Sequence, residues 1–210
     1  MSEKKLKPRG REQVVAAVLQ AAAELFAQDG IEAVSIRDIA TRADVNHGLI
    51  HRHFGSKDNL RLKTQEYLAK NVRDDIGEPE NIIDAIGRAE QAIREHPLFW
   101  KVMARTFLDG TFEGDVQGSF PFIKKMVDFV REAKEDGLIV SDMDPRYIVA
   151  AFSAYGLGIR LFEDYIMQGT GLDDEPVEEV RSKIKEFFLS VLFPTTQGTR
   201  SDKKETDKTP

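Results

Sequence analysis

The chain has 210 residues, 41% of them hydrophobic and 31% charged, with a formal net charge of −6 and no cysteine. That length buries one sizeable core, or a small domain beside a larger one, and the missing cysteines exclude disulfides and thiolate metal sites. No run approaches the ~18 uncharged apolar residues of a membrane helix, and the basic N-terminus has no apolar stretch behind it, so the expectation is a soluble cytoplasmic protein without signal peptide or membrane span.

Residues 1–10, MSEKKLKPRG, are a basic arm with nothing to pack and are expected to be disordered. From 11 to 28 the residues Val14, Val15, Val18, Leu19, Ala22, Leu25 and Phe26 recur at three and four, which predicts a helix ended by Asp29-Gly30. A short helix then begins at Ser35, whose hydroxyl and the Asp38 carboxylate form a capping-box pair, with Ile36, Ile39 and Ala40 on its buried side. Ala43, Asp44 and Val45 make a turn, Asn46 is a good N-cap, and the helix 47–54 turns Ile50 and Phe54, four apart, toward the core.

The outer side of that second short helix is the informative one. At about 100° per residue, Gly48 and Arg52 lie opposite Ile50, flanked by Leu49 and His51. Gly48 costs about 1 kcal/mol of helix propensity against alanine, so something is expected to approach the backbone closely there. Ser56 then caps a third helix whose free N–H groups, together with Lys57, make a phosphate site. Two short helices, a tight turn and a helix opening on lysine are the layout of a helix-turn-helix that reads DNA. Charge agrees: residues 1–63 hold 11 Lys and Arg against 8 acids, whereas the other 147 hold 19 against 28. The polyanion partner belongs at the N-terminal end.

The helix that starts at Lys57 runs to about residue 75 and is long enough to join the reading head to a second domain. Further helical segments are expected at about 80–95, 97–109, 119–136, 144–168 and 174–193, punctuated by Pro97, Gly137, Pro145, Gly169, Gly171 and Pro194. The loop 110–118, with three glycines around Phe112, reads as a flap at a pocket mouth or a plain surface connection. The polar tail 195–210 is expected to be disordered. The fold class is therefore all-α: a three-helix DNA-binding domain over 11–60, then a helical effector-binding and dimerisation domain over 61–194, about nine helices in all.

The segment 30–60, GIEAVSIRDIATRADVNHGLIHRHFGSKDNL, resembles without a gap the DNA-binding domain of the TetR family of bacterial regulators. The resemblance rests on Gly30, on Ser35, Arg37, Ile39 and Ala40, on Val45, Gly48 and Ile50, on the His53-Phe54 pair and on Ser56-Lys57. It implies base-edge contacts at Arg37, His47, Gly48 and Leu49, and phosphate contacts at Ser35, His51, Arg52, His53 and Lys57, with Asn46 counted among the DNA-binding residues and base contact also open to Arg52. Arg37 suits guanine O6 and N7, and Leu49 a thymine methyl. Two positions depart from the family pattern: Asp44 stands where glycine is commonest, and His51 where a phosphate-touching tyrosine is usual. Asp tolerates the left-handed turn conformation. The partner implied is a palindromic double-stranded operator on the bacterial nucleoid.

Aromatic and methionine residues concentrate in the second domain, and Trp100, Met103, Phe107, Phe122, Met126, Phe129, Phe152 and Tyr155 are candidates to line a pocket for an apolar or aromatic molecule. Each by itself reads more readily as core, and it is the group that suggests a pocket. The stripe Ile148, Phe152, Tyr155, Ile159, Phe162 and Ile166, with Val177 to Leu192 in the last helix, is expected to form a four-helix homodimer interface. The function expected is a DNA-binding transcriptional regulator, a repressor released by a small effector, with no enzyme activity, cofactor or metal. Two alternatives stand beside it: a C-terminal domain that docks a protein instead, or a metal sensor built on His47 and His51, four apart on one helix. Histidine titrates near pH ~6.5, so three of them on the reading helix predict operator affinity that rises as pH falls.

Overall fold

The computed structural model describes residues 10–110 and 121–192, and within them the chain forms ten α-helices and no strand. These are α1 (Arg11–Asp29), α2 (Ile36–Arg42), α3 (His47–Phe54), α4 (Lys57–Ile76), α5 (Ile82–Glu95), α6 (Pro97–Leu108), α7 (Pro121–Glu135), α8 (Pro145–Leu161), α9 (Glu163–Thr170) and α10 (Val177–Leu192). The expected arm over 1–10, except Gly10, most of the expected flap over 110–118, and the expected tail lie outside the described residues.

Starts and stops follow local chemistry. Gly30, Gly55, Gly77 and Gly171 close α1, α3, α4 and α9 with φ between +57° and +85°, the region where a Cβ is costly. Asn81 caps α5 by accepting from the Asp84 amide, and Asp144 caps α8 by accepting from the Arg146 amide. The Asp144 carboxyl is held down to about 2, first by its hydrogen bonds from the Arg146 side chain and then by that amide.

Two cores result. The first joins α1 (Val18, Ala22, Phe26), α2 (Ile39), α3 (Ile50, Phe54), α4 (Leu60, Leu68, Val72, Ile76) and α6 (Phe99, Val102, Met103). It runs unbroken from α2 and α3 into the second half of the molecule, because α1 packs on α6 as well as on α2 and α4. The second joins α5 (Ile82, Ala85, Ile86), α7 (Met126, Phe129, Val130, Ala133), Ile139 and α8 (Ile148, Val149).

The stretch expected as one helix over 144–168 is two. Phe162, at φ −119° and ψ 21°, ends α8 and starts α9. The physical tie at the break is Arg181 of α10, whose Nε and Nη2 each donate to the Glu163 carboxylate at 2.7 Å. That bidentate grip fixes the first residue of α9 on α10, and nothing local in the sequence announces it. With this break the described residues hold ten helices, where about nine were expected for the whole chain.

Candidate functional site

Helix α2 starts on the capping box that Ser35 and Asp38 predicted. The Asp38 amide donates to Ser35 Oγ at 3.2 Å and the Ser35 amide donates back to Asp38 Oδ2 at 2.9 Å. The Ser35 hydroxyl also donates to Asp38 Oδ2 at 2.6 Å, and these hydrogen bonds lower the Asp38 carboxyl below its usual range. Arg42 and Glu24, 3.0 Å apart, pin the end of α2 to α1. In the turn Asp44 sits at φ +52°, the one non-glycine with positive φ among the described residues, so aspartate adopts the conformation that glycine would supply freely. The Val45 amide donates to the Ala40 carbonyl at 3.0 Å, which brings the chain round into α3.

Asn46 caps α3, accepting from the Gly48 amide at 2.8 Å. This gives Gly48 a local reason besides close approach by DNA. A Cβ at Gly48 would stand 3.2 Å from Asn46 Oδ1, so the tight cap itself favours glycine. Ile50 and Phe54 are buried, as their spacing predicted. The other side of α3 carries His47, Gly48, His51 and Arg52 exposed, with Leu49 and His53 half-buried; Ser35, Arg37 and Asn46 are exposed beside them. Near α3's end, His51 Nδ1 lies 3.1 Å from the Gly55 carbonyl, and since a carbonyl only accepts, the ring nitrogen must carry a proton there.

Helix α4 begins at the foot of α3. Ser56 Oγ accepts from the Asn59 amide at 3.1 Å, and the Asn59 side chain donates to the Phe54 carbonyl at 2.7 Å, a tie that sequence reading missed. Lys57 Nζ donates to the Glu32 carbonyl at 3.0 Å, across the mouth of the α1–α2 loop. An ammonium has three donors, so two remain for a ligand beside the free amides of the helix start. Seven of these residues are exposed and three half-buried, and the Asp38 carboxylate among them is tied up in the α2 cap.

The second feature is a cavity of about 130 Å³ at the opposite end of α4. Its wall takes Ile76 from α4, Ile86, Ala89 and Ile93 from α5, Trp100 from α6, Phe122, Ile123 and Met126 from α7, and Val149, Phe152, Ser153 and Tyr155 from α8. Five of the aromatic and methionine candidates meet there: Trp100, Phe122, Met126, Phe152 and Tyr155. The other three do not line it. Met103 packs into the first core, Phe129 into the second, and Phe107 is half exposed. The aliphatic part of the wall was missed, because isoleucine and valine at helical spacing look the same whether they meet a void or a neighbour.

Helix α4 physically connects the two places. Its C-terminal end is held by Arg88, which donates to the Ile76 carbonyl at 3.1 Å, and by His96 against Asp75 at 2.6 Å. Midway, Gln65 donates to the buried Thr106 hydroxyl of α6 at 2.8 Å. Among the described residues no three His, Asp or Glu side chains come together as a metal site would require.

The stripe expected at a dimer interface divides. Ile148 is in the second core, and Phe152 and Tyr155 face the cavity, where Tyr155 stacks on Phe188 of α10 at 4.3 Å. The outward side of α8 is instead Tyr147, Ala151, Ala154 and Leu161, and on α10 it is Val177, Phe187 and Val191.

Comparison with known proteins agrees with this geometry. Residues 18–64 match the family model described as bacterial regulatory proteins, tetR family. The chain is 37% identical over 195 residues to the HTH-type transcriptional repressor Rv3405c of Mycobacterium tuberculosis, covering 92% of this chain and 96% of that one. It is 28% identical over 126 residues to the transcriptional repressor KstR of Mycolicibacterium smegmatis, covering 55% of this chain and 62% of that one. Among solved structures, a putative TetR-family regulator from Rhodococcus sp. superposes with a TM-score of 0.60 at 20% identity, over 87% of this chain and 100% of that chain. A putative regulator from Saccharomonospora viridis, in complex with choline, gives 0.64 at 18%, over 87% and 99%.

Proposed function

The chain belongs to the tetR family of bacterial regulatory proteins, DNA-binding transcriptional regulators and not enzymes, and on that premise we propose that it is a homodimeric repressor released from a palindromic operator by a small apolar effector. The observation that carries the reading is α4, which starts on the Lys57 phosphate site and ends with Ile76 in the cavity wall. An occupant that displaces Ile76 moves the helix on which the reading head stands. Occupancy then favours a dimer whose two heads are spaced wrongly for the operator, and linkage requires operator DNA to weaken effector binding by the same factor. The site of action is the bacterial cytoplasm, on the nucleoid. No helix among the described residues is long and apolar enough to cross a membrane.

On the DNA side, Arg37, His47, Gly48 and Leu49 are assigned to base edges, and Ser35, His51, Arg52, His53 and Lys57 to phosphates, with Asn46 holding the reading helix in register. Lys57→Ala is expected to weaken binding to every sequence alike and to lower the slope of log affinity against log salt by about 0.9 per half-site. Arg37→Ala instead is expected to cost operator affinity while sparing nonspecific binding. Filter-binding titrations at several salt concentrations measure both, and an unchanged slope removes Lys57 from the phosphate contacts.

Support for the dimer is the periodicity of the outward faces. Tyr147, Ala151, Ala154 and Leu161 on α8 are exposed at spacings of four, three and seven, and Val177, Phe187 and Val191 on α10 at ten and four. That spacing makes a continuous seam along a helix. Small residues at the middle of α8 let a second helix approach closely.

A further inference from the structure

Trp100 is one of the residues lining the cavity, and the fold leaves its indole nitrogen unanswered. Trp100 Nε1 is buried and has no hydrogen-bond partner among the described residues. Indole N–H is a donor only, and a buried donor without an acceptor is costly enough that native structures seldom keep one. The ring is held in place: it packs edge-on against Phe99 with centroids 4.6 Å apart, on a helix that Pro97 starts. The other polar groups of the wall are differently placed. The Glu90 carboxylate is engaged by Lys185 of α10 at 2.9 Å, and Ser153 adds one hydroxyl. Everything else there is aliphatic or aromatic, and burial pushes the Tyr155 phenol upward, the mark of a poorly hydrated wall that disfavours negative charge.

We propose that the effector is an uncharged, ring-sized molecule carrying an acceptor oxygen, a carbonyl or an ether, that takes its hydrogen bond from Trp100 Nε1. This rests on the reading of the cavity as the effector site and specifies its chemistry. A cavity of about 130 Å³ has the size of a single six-membered ring with one substituent, since an engineered cavity of about 150 Å³ holds benzene. An anion would meet Glu90 and a desolvated phenol. A fully apolar guest would leave the indole donor unanswered.

Trp100 is the one tryptophan of the chain, so a 15N-labelled sample gives a single indole N–H signal, from a residue that lines the cavity. Cyclohexanone and methylenecyclohexane have nearly the same shape and differ in an acceptor oxygen, and both are titrated into the full chain. Cyclohexanone is expected to move the indole proton downfield, whereas methylenecyclohexane shifts it without that hydrogen-bond signature. In ligand-observed titrations, Trp100→Phe is expected to weaken cyclohexanone about fivefold while changing methylenecyclohexane by no more than about twofold. Equal losses for both ligands, or no downfield movement on wild-type protein, overturn the acceptor assignment and leave the cavity standing as a binding site. If neither molecule perturbs Trp100 or the signals of Met126 and Phe152, the cavity reading falls as well, and the proposal with it.

Discussion

Phe187→Glu is expected to convert the protein to a monomer and to abolish operator binding at concentrations where the wild type is saturated. Phe187 is 63% exposed, on the outward side of α10, in line with Val191 and Val177. An aromatic at the centre of a protein interface commonly costs 2 kcal/mol or more on truncation, roughly speaking. In a two-fold interface the change occurs twice, and each substituted side chain carries a charge into it. A loss of about 4 kcal/mol from dimerisation is close to a thousandfold. A lone head makes half the phosphate and base contacts, so affinity for a palindrome collapses with the dimer. Sedimentation equilibrium and gel shifts at matched concentration measure the two effects. A variant that stays dimeric with unchanged affinity places the interface elsewhere. Phe187 contacts Phe188 edge-on at 5.7 Å, so circular dichroism is needed to show that α10 itself persists.

Phe26→Ala is expected to destabilise the whole chain by about 3–5 kcal/mol, through lost burial and the cavity left behind. Phe26 is 0% exposed, in the core that α1 shares with α2, α3, α4 and α6. For a chain of this size each kcal/mol is worth roughly 2–4 °C, so the melting temperature should fall by about 10 °C in calorimetry. Because α1 backs the reading helices and also packs on α6, melting is expected to stay cooperative. Two separated transitions, with the later one unshifted, would show that the head and the body are energetically independent.

These two sites also mark what can be read from sequence. Phe26 belongs to a repeat of apolar residues at three and four, and the helix 11–29, its glycine stop and its buried face follow from that repeat. The capping box at Ser35, the Asn46 cap and the buried pair Ile50 and Phe54 were legible for the same reason, and the left-handed turn at Asp44 through the family resemblance, which has glycine commonest there. Each is a local interaction between residues a few positions apart. What was not legible depends on distant partners. The break at Phe162 is tied by Arg181, eighteen residues beyond Glu163. The stripe through Phe152 and Tyr155 has the periodicity of an interface, yet Phe188 and the cavity claim it from inside the protomer. Gly48 was legible as an anomaly but with one cause too few, since the cap on Asn46 explains it as well as an approaching groove does. The aliphatic wall at Ile76, Ile86 and Ile93 carries no signal distinct from a core.

Mapping the DNA segment that the full-length protein protects on genomic DNA tests the central claim most directly. A dimer of these heads is expected to protect a two-fold symmetric sequence whose half-sites are centred about 34–36 Å apart, or a multiple of that. Protection of an asymmetric sequence, or protection indifferent to sequence, would contradict the account.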